Sequence, residues 1–394
     1  MKILVANFGS TSFKYRLYDM DGTQECALAK GGYERVTDYA EVVDDCLATL
    51  LKEGHLNEVG DLDAVGFKTV MGRNLSGCVS DDDSVLSALE GFADLAPAHN
   101  PPYAEGMKTF RDRAPEVPRV ALFETAFYQW VPEAARVYAV PKAWREAGLE
   151  RYGFHGASHK FIAERSAELM GRADVMERAQ GLYVKGPGNF IGDPLRVISC
   201  HLGGSASVTA IDSGVAIGTS MGFTPQSGLP QNNRVGDLDS GAVPFVMSTL
   251  GIDVEEAQRQ MTKESGLLGL SDGAGNDMRD LNTAADEGNA DARLAIDHFV
   301  HSIRKYIGSF YLELGGLDGL VFTAGIGEKD ADLREGVCKD LAHLGIALDL
   351  EKNRNLSGEE EEISASGSSA QIWVIPTNEE LIVAREARRL LTNS

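Results

Sequence analysis

Two stretches of this chain repeat one pattern: an apolar strand, a turn rich in glycine and serine, a second strand, and a closing aspartate-glycine turn. In the first, Ile3-Leu4-Val5-Ala6 leads through Asn7-Phe8-Gly9-Ser10-Thr11-Ser12 to a strand over 13–18 and the turn Asp19-Met20-Asp21-Gly22. In the second, Val197-Ile198-Ser199-Cys200 leads through His201-Leu202-Gly203-Gly204-Ser205 to a strand over 206–211 and Asp212-Ser213-Gly214. Recurrence roughly 190 residues apart reads as an internal duplication, the alternative being a chance likeness of two hairpins. Between the units, 39–53 carries Val42, Val43, Cys46, Leu47, Leu50 and Leu51 on one helical face, and 158–170 and 291–314 read the same way. Strands alternate with helices in each half, which makes the fold class α/β. A length of 394 residues fits about two domains.

Charge narrows the function. Thirty-seven basic against 59 acidic residues leave a net charge of −22. Such a chain repels nucleic acid and anionic membranes, so neither is expected as a partner. An anionic substrate would have to be met by a few placed cations. The five cysteines, Cys26, Cys46, Cys78, Cys200 and Cys338, are odd in number and widely spaced. They argue against a disulfide framework or a structural zinc site and fit a reducing cytosol. The N-terminus opens as a strand pattern without a signal-peptide core, and no run reaches 18 apolar residues. A cytoplasmic protein is the expectation. The second half of 174–194 reads as a surface loop, and Asp81–Asp83 and Glu359–Glu362 as solvated charge runs.

Several familiar signatures are missing. There is no GxxxxGK[ST]. Gly186-x-Gly188-x-x-x-Gly192 is one residue too long for a dinucleotide loop and runs into Asp193-Pro194. His155 and His159 have the spacing of helical metal ligands, but no glutamate completes that motif and Gly156 weakens a helix there. What remains are glycine- and serine-rich turns: Asn7–Ser12, His201–Ser207, Ser271–Gly275 and Gly325-Ile326-Gly327. Backbone N–H groups in such turns can face phosphate oxygens at close range. Duplicated hairpins plus a further glycine turn after the strand Leu320-Val321-Phe322 point to a nucleotide clasped between two related domains.

These segments, taken in order, resemble the acetate kinase (acetokinase) family over almost the whole chain, within the acetate and sugar kinase/Hsc70/actin superfamily. The motifs are Asn7-Phe-Gly-Ser-Thr-Ser-Phe-Lys14, Leu95-Ala-Pro-Ala-His-Asn-Pro-Pro102, Phe123-Glu-Thr-Ala-Phe127 and Arg151-Tyr-Gly-Phe-His-Gly-Ala-Ser-His159. They continue through His201-Leu-Gly203, Thr219-Ser-Met-Gly-Phe-Thr-Pro225, Arg234-x-Gly-Asp237, Asp277-Met-Arg-Asp280, Phe322-Thr-Ala-Gly-Ile-Gly-Glu328 and Pro376-Thr-Asn-Glu-Glu-Leu381. The resemblance implies two duplicated actin-like (ribonuclease H-like) domains with a nucleotide cleft between them. It divides the chain into 1–147, joined by a C-terminal helix over 380–394, and 148–379. It implies reversible phosphorylation of a short carboxylate, acetate first, by ATP with Mg²⁺ or Mn²⁺, in a homodimer.

Residue by residue, Arg234 matches the family arginine that grips carboxylate and phosphoryl oxygens, a task suited to a planar guanidinium. His155 matches the histidine that stabilises the phosphoryl group in flight, and His201 and His99 match further active-site histidines. Asn7, Ser10, Ser12 and Lys14 match the first phosphate loop; Gly203 and Gly204 lie in the second. Asp277, Met278 and Arg279, with Gly325, Ile326 and Gly327, match the adenosine pocket. Glu379 matches the magnesium-associated glutamate, with Asn7 beside it. Val70, Leu95 and Pro225 would line an apolar acyl pocket, although core or turn roles suit them too. The departures gather at the substrate end. Lys68 stands for the second substrate arginine, with Arg73 nearby, and Glu124 for the catalytic aspartate. Gly204-Ser205 replaces Asn-Gly, Asn232-Asn233 replaces Gly-Thr, and Lys329 replaces an asparagine. Propionate or butyrate as substrate, pyrophosphate as donor, and a weakly catalytic nucleotide or acyl-phosphate sensor are the alternatives these departures leave open.

Overall fold

The computed structural model describes residues 1–21, 25–72, 75–92 and 100–393. Its strands form two six-stranded sheets. The first holds β1 (Lys2–Phe8), β2 (Ser12–Asp19), β3 (Cys26–Glu34), β4 (Ala64–Thr69), β5 (Cys78–Ser80) and β6 (Arg119–Phe123), in the order β3-β2-β1-β4-β6-β5. The second holds β7 (Arg196–Leu202), β8 (Ala206–Asp212), β9 (Val215–Thr219), β10 (Gly319–Thr323), β11 (Glu361–Glu362) and β12 (Gln371–Val374). Its order, β11-β12-β10-β7-β8-β9, is that of the first sheet strand for strand, read from the other edge. The directions match as well. The hairpin triplets β1-β2-β3 and β7-β8-β9 are antiparallel, β1-β4-β6 and β7-β10-β12 are parallel, and β5 and β11 are antiparallel edges. The duplication read from two hairpins therefore extends to the whole sheet of each half, and the chain has a two-domain α/β fold.

The hairpin turns are tighter than the sequence indicated. Asn7 pairs with Lys14 and Phe8 with Phe13, and Gly9 N–H bonds Ser12 O at 2.8 Å. Asn7 thus rides the end of a strand and not a loop. Likewise His201 pairs with Ser207 inside the second ladder. Helices run over Tyr39–Lys52, Gly156–Leu169 and Ala290–Leu314, where the apolar spacing placed them. Asp38 caps the first by accepting from Ala40 N and Glu41 N, and Asn289 caps the third. Within 174–194 the first half is helix Ala173–Lys185, anchored by buried Val175, Ala179 and Leu182, and the loop begins only after it. Ser271–Gly275 is no open cradle, because Ser271 Oγ donates to Leu268 O and Gly275 O. Gly325–Gly327 belongs to a short helix, Ala324–Lys329, rather than to a turn.

The terminal helix Glu379–Asn393 returns to the first sheet. Ile382, Val383, Ala384 and Ala387 are fully buried there, and a Cβ on Gly66 of β4 would come within 2.7 Å of Val383 Cγ1. One core joins the first sheet, this helix, the helices over 156–185 and one face of the second sheet. A second core fills the space between the opposite face of the second sheet and Ala290–Leu314. Each fully buried large side chain, such as Phe299, contributes about 1.5–3 kcal/mol.

Candidate active site

In parallel α/β sheets, ligands bind beyond the carboxyl ends of the strands. Ala6 of β1 pairs with Phe67 of β4, and Thr69 of β4 pairs with Phe123 of β6. Asn7, Lys68 and Glu124 therefore come to one edge. In the second sheet His201 pairs with Thr323, and β12 leads through Pro376-Thr377-Asn378 to Glu379. The two edges meet. Lys68 Nζ lies 2.9 Å from Glu124 Oε1 and also bonds Glu379, 311 positions away. One ammonium thus stands between two carboxylates. Burial alone would raise the Glu379 carboxyl, but Lys68 holds it below the ordinary carboxylate range. Burial would lower the Lys68 ammonium, and the two glutamates drive it well above its ordinary value. Asn7 is steadied by neighbours, donating to Glu380 at 3.3 Å and accepting from Tyr103 OH at 3.4 Å.

Arg234 reaches the same cleft from the second half. Its guanidinium donates to Gln231 Oε1 at 3.2 Å. Among the described residues no carboxylate lies within ion-pair distance of it. Burial presses its pKa down, yet an arginine keeps its proton in a protein. The result is a half-buried cation with donors to spare, which is the need of a site for an anion. The loop is held tightly. Ser205 Oγ donates to Gln231 Oε1 at 2.8 Å, and Gln231 donates to Pro225 O. Gly266, at φ +64, presses on this loop so closely that a Cβ would fall 2.0 Å from Gln231 O and 2.5 Å from Arg234 O.

His155 sits at φ 60, a left-handed conformation, immediately before helix Gly156–Leu169. A non-glycine residue there is held by its surroundings. Gly156 N–H bonds Glu124 O at 3.0 Å, and a Cβ on Gly156 would lie 2.1 Å from that oxygen. The glycine that looked unfavourable for a helix is thus what lets the helix start against β6. Gly156→Ala is expected to lower stability by about 1–3 kcal/mol in urea unfolding, and to lower turnover because Glu124 and His155 move together. The His155 ring stacks on His201 with centroids 4.1 Å apart. Burial pushes His155 down to about 4 and His201 to about 3. Both are neutral near neutrality, so turnover between about pH 5 and 8 should show no histidine inflection. A pH profile with a step near the ordinary value of 6.5 would contradict this. His159 offers no free nitrogen for a metal, since both ring nitrogens contact serine hydroxyls at 2.8 Å.

Two adjoining cavities result. One of about 410 Å³ is lined by Asn7, Lys68, Val70, Glu124, His155 and Arg234, with Ser12, Lys14 and Pro225 at its margins. The other, of about 560 Å³, is lined by Gly203 and Gly204, by Asp277, Met278 and Arg279, and by Gly325 and Ile326. Asn232 N–H bonds Gly204 O at 3.1 Å and ties the phosphate loop to the Arg234 loop. Asp277 caps helix Met278–Asp286 and pairs with Arg279. Ser10 is exposed in the hairpin turn and lines neither cavity. Gly327 lies behind the wall, where a Cβ would meet Phe322 C at 3.5 Å; it serves packing. Leu95, His99 and Arg73 fall outside the described residues. The reading of the sequence missed Tyr103, Phe154, Asn282 and Asp330, which also line the cavities. Tyr103 follows directly on the Leu95–Pro102 motif, which was its available signal.

The residues suit a divalent cation. Glu124 Oε2 is buried without a hydrogen-bond partner, across Lys68 from Glu379. Among the described residues no cluster of three or more acidic, histidine or cysteine ligands occurs. A cation that takes one or two carboxylates and completes its shell with phosphate and water needs no more.

The acetokinase family model matches residues 29–385. The chain belongs to the acetokinase family. The acetate kinase of Natranaerobius thermophilus is 39% identical, with 99% of this chain and 100% of that protein covered. Among solved structures, the acetate kinase of Porphyromonas gingivalis superposes with a TM-score of 0.87 at 33% identity, covering 99% of each chain. A propionate kinase from Francisella tularensis superposes at 0.83 with 33% identity, covering 98% of each. This acetokinase carries the smaller cavity where residues of its two halves meet and the larger one wholly among residues of the second half.

Proposed function

We propose that this acetokinase transfers the γ-phosphoryl group of ATP to the carboxylate of a short acid, acetate first, forming an acyl phosphate reversibly in one in-line step. Membership of the family makes it a carboxylate kinase of the acetate kinase type. The finer reading is carried by one observation, a cavity of about 560 Å³ lined by the glycine loop beside a cavity of about 410 Å³ where Arg234 has no acidic partner among the described residues.

Phosphoryl transfer is mostly positioning and charge stabilisation. The acid's methyl group would lie against Val70, Phe154 and Pro225. Arg234 would grip its carboxylate and the equatorial phosphoryl oxygens, and so offset the repulsion between two anions. His155 and His201, uncharged, would donate to those oxygens. The nucleotide's phosphates would lie along Gly203 and Gly204, with adenosine against Asp277–Arg279 and Gly325–Ile326. Mg²⁺ or Mn²⁺ would be held by Glu379 and Glu124 with Asn7 beside them, and would neutralise phosphate charge. Closure of residues 1–147 with the terminal helix onto 148–379 would exclude water. A space of nucleoside size beyond the glycine loop favours ATP over pyrophosphate as donor. The unpaired Arg234 favours a working kinase over a sensor.

Hydroxylamine traps acyl phosphates as hydroxamates. Product is expected from acetate, with propionate and butyrate compared alongside, and calorimetry should show ATP binding where pyrophosphate gives none. A folded protein that yields no hydroxamate from any short acid would overturn the reading. Helix Ala242–Leu250 is apolar yet buries no residue, and Phe245, Leu250 and Val254 are exposed. That face supports a homodimer, and sedimentation equilibrium giving the monomer mass would refute it. No helix among the described residues is long and apolar enough to cross a membrane. A cytoplasmic location is part of the same proposal, and fractionation placing the protein elsewhere would refute it.

A further inference from the structure

Behind each of the stacked imidazoles, His155 and His201, runs a file of buried hydroxyl groups that the reaction itself does not call for. His155 Nδ1 lies 2.8 Å from Ser207 Oγ. The same oxygen lies 2.8 Å from Nε2 of His159, whose Nδ1 lies 2.8 Å from Ser199 Oγ. In parallel, Thr377 Oγ1 donates to Ser158 Oγ at 2.9 Å, and Ser158 Oγ lies 2.8 Å from His201 Nδ1. Ser158, His159, Ser199 and Ser207 are fully buried. Buried polar groups of this kind are satisfied within the protein or at a cost.

The geometry restricts where the protons lie. A neutral imidazole has one N–H and one bare nitrogen, and a serine has one proton to give. Ser158 accepts from Thr377 and has one proton to give; when it gives that proton to His201 Nδ1, the proton of His201 lies on Nε2, the atom that a Cβ on Gly203 would approach to 3.9 Å. The second lone pair of Ser158 allows the reverse direction as well. For His155 two directions satisfy every bond. In one, Ser199 donates to His159 Nδ1, His159 Nε2–H to Ser207, and Ser207 to His155 Nδ1, so that His155 shows Nε2–H to the cleft. The reverse shows a bare nitrogen there. Phosphoryl oxygens only accept hydrogen bonds, so with an anion in the cleft the reverse sets a lone pair against negative charge.

We propose that His159, acting through Ser207, is a positioning residue that holds His155 in its Nε2–H form, and that Thr377 and Ser158 do the same for His201. His155 then presents an uncharged N–H donor to the cleft it lines, with the His201 ring stacked against it. Two imidazolium rings with centroids 4.1 Å apart would repel each other, which is why neutral donors fixed from behind suit this place. The inference rests on the phosphoryl-transfer reading for its purpose, but not for its test.

Histidine-selective ¹⁵N labelling reads the tautomer directly, because protonated and bare ring nitrogens resonate far apart. Spectra are taken with Mg²⁺ and the β,γ-imido analogue of ATP, and separately with inorganic phosphate alone. The expected result in both is Nε2–H at His155 and His201. Ser207→Ala should mix or invert the His155 tautomer and lower kcat roughly tenfold, the worth of one hydrogen bond, while KM for ATP stays within about twofold. Ser207→Thr, which keeps the hydroxyl, should restore both readouts. His159→Gln, whose amide N–H can replace the lost donor, should retain more turnover than His159→Met and gives a second route should the serine variants fold poorly. Nδ1–H at His155 with an anion bound, or a Ser207→Ala enzyme with unchanged tautomer and kcat, overturns the proposal. A wild type that forms no hydroxamate overturns the kinase reading alone, since the phosphate spectra still report on the relay.

Discussion

Arg234→Ala is expected to lower kcat/KM for the carboxylate substrate by about 10³-fold or more, the scale seen when a placed charge on a phosphoryl or oxyanion transition state is removed. The guanidinium is half-buried, makes one hydrogen bond to the amide oxygen of Gln231, and has no acidic partner among the described residues. Nothing structural depends on an ion pair there, so thermal unfolding should change little while turnover collapses. Arg234→Lys keeps the charge but loses the two-pronged geometry and should recover only part of the rate. Steady-state kinetics alongside a melting curve separates the cases. A variant that loses activity only because it unfolds would refute the assignment.

The second large effect concerns stability. Lys160 is fully buried, 2.6 Å from Glu164 and 2.9 Å from Glu386, and also donates to Ala179 O at 2.8 Å. Arg385 and Arg389 join from the terminal helix, pairing with Glu164 at 2.7 and 3.2 Å. This network fastens the helix that begins after His155 to the helix that begins with Glu379. Lys160→Met leaves two buried carboxylates short of a cation and should cost about 3–5 kcal/mol. The pH dependence has a definite sign. Burial would raise the Glu164 carboxyl, but Lys160, Arg389 and Arg385 hold it below the ordinary 4.5. A depressed carboxyl stabilises above its unfolded pKa and loses that contribution as pH falls through and below this range. The deficit of Lys160→Met should therefore be largest near neutrality and shrink on acidification, as the carboxyls that have lost Lys160 take up protons. Denaturant unfolding across pH checks it, and a deficit independent of pH would contradict it.

Much of the site was legible because its residues sit in short motifs at strand ends. A hairpin followed by parallel strands brings Asn7, Lys68 and Glu124 to one edge whatever the rest of the chain does. Long-range pairing was not legible. Lys68 read as a stand-in for a substrate arginine, and its bridge to Glu379 depends on the terminal helix crossing back to the first sheet. Orientation within a short helix or a tight turn was not legible either. Gly327 is one residue past the cavity wall, and Ser10 is at the tip of a turn shorter than it looked. Lys160 and Glu164 have the spacing of a solvated surface pair, yet helix Gly156–Leu169 is buried on nearly every side, so the pair lies inside. The Ser207–His159 contact was hidden because β8 and the helix are joined only in three dimensions.

A crystal structure with Mg²⁺, ADP, aluminium fluoride and acetate tests the central claim most directly. The account expects adenosine between Asp277–Arg279 and Gly325–Ile326, and the fluoride species between Arg234 and His155 with an acetate oxygen in line. Nucleotide bound elsewhere, or Arg234 turned to solvent with the cleft closed, would contradict it.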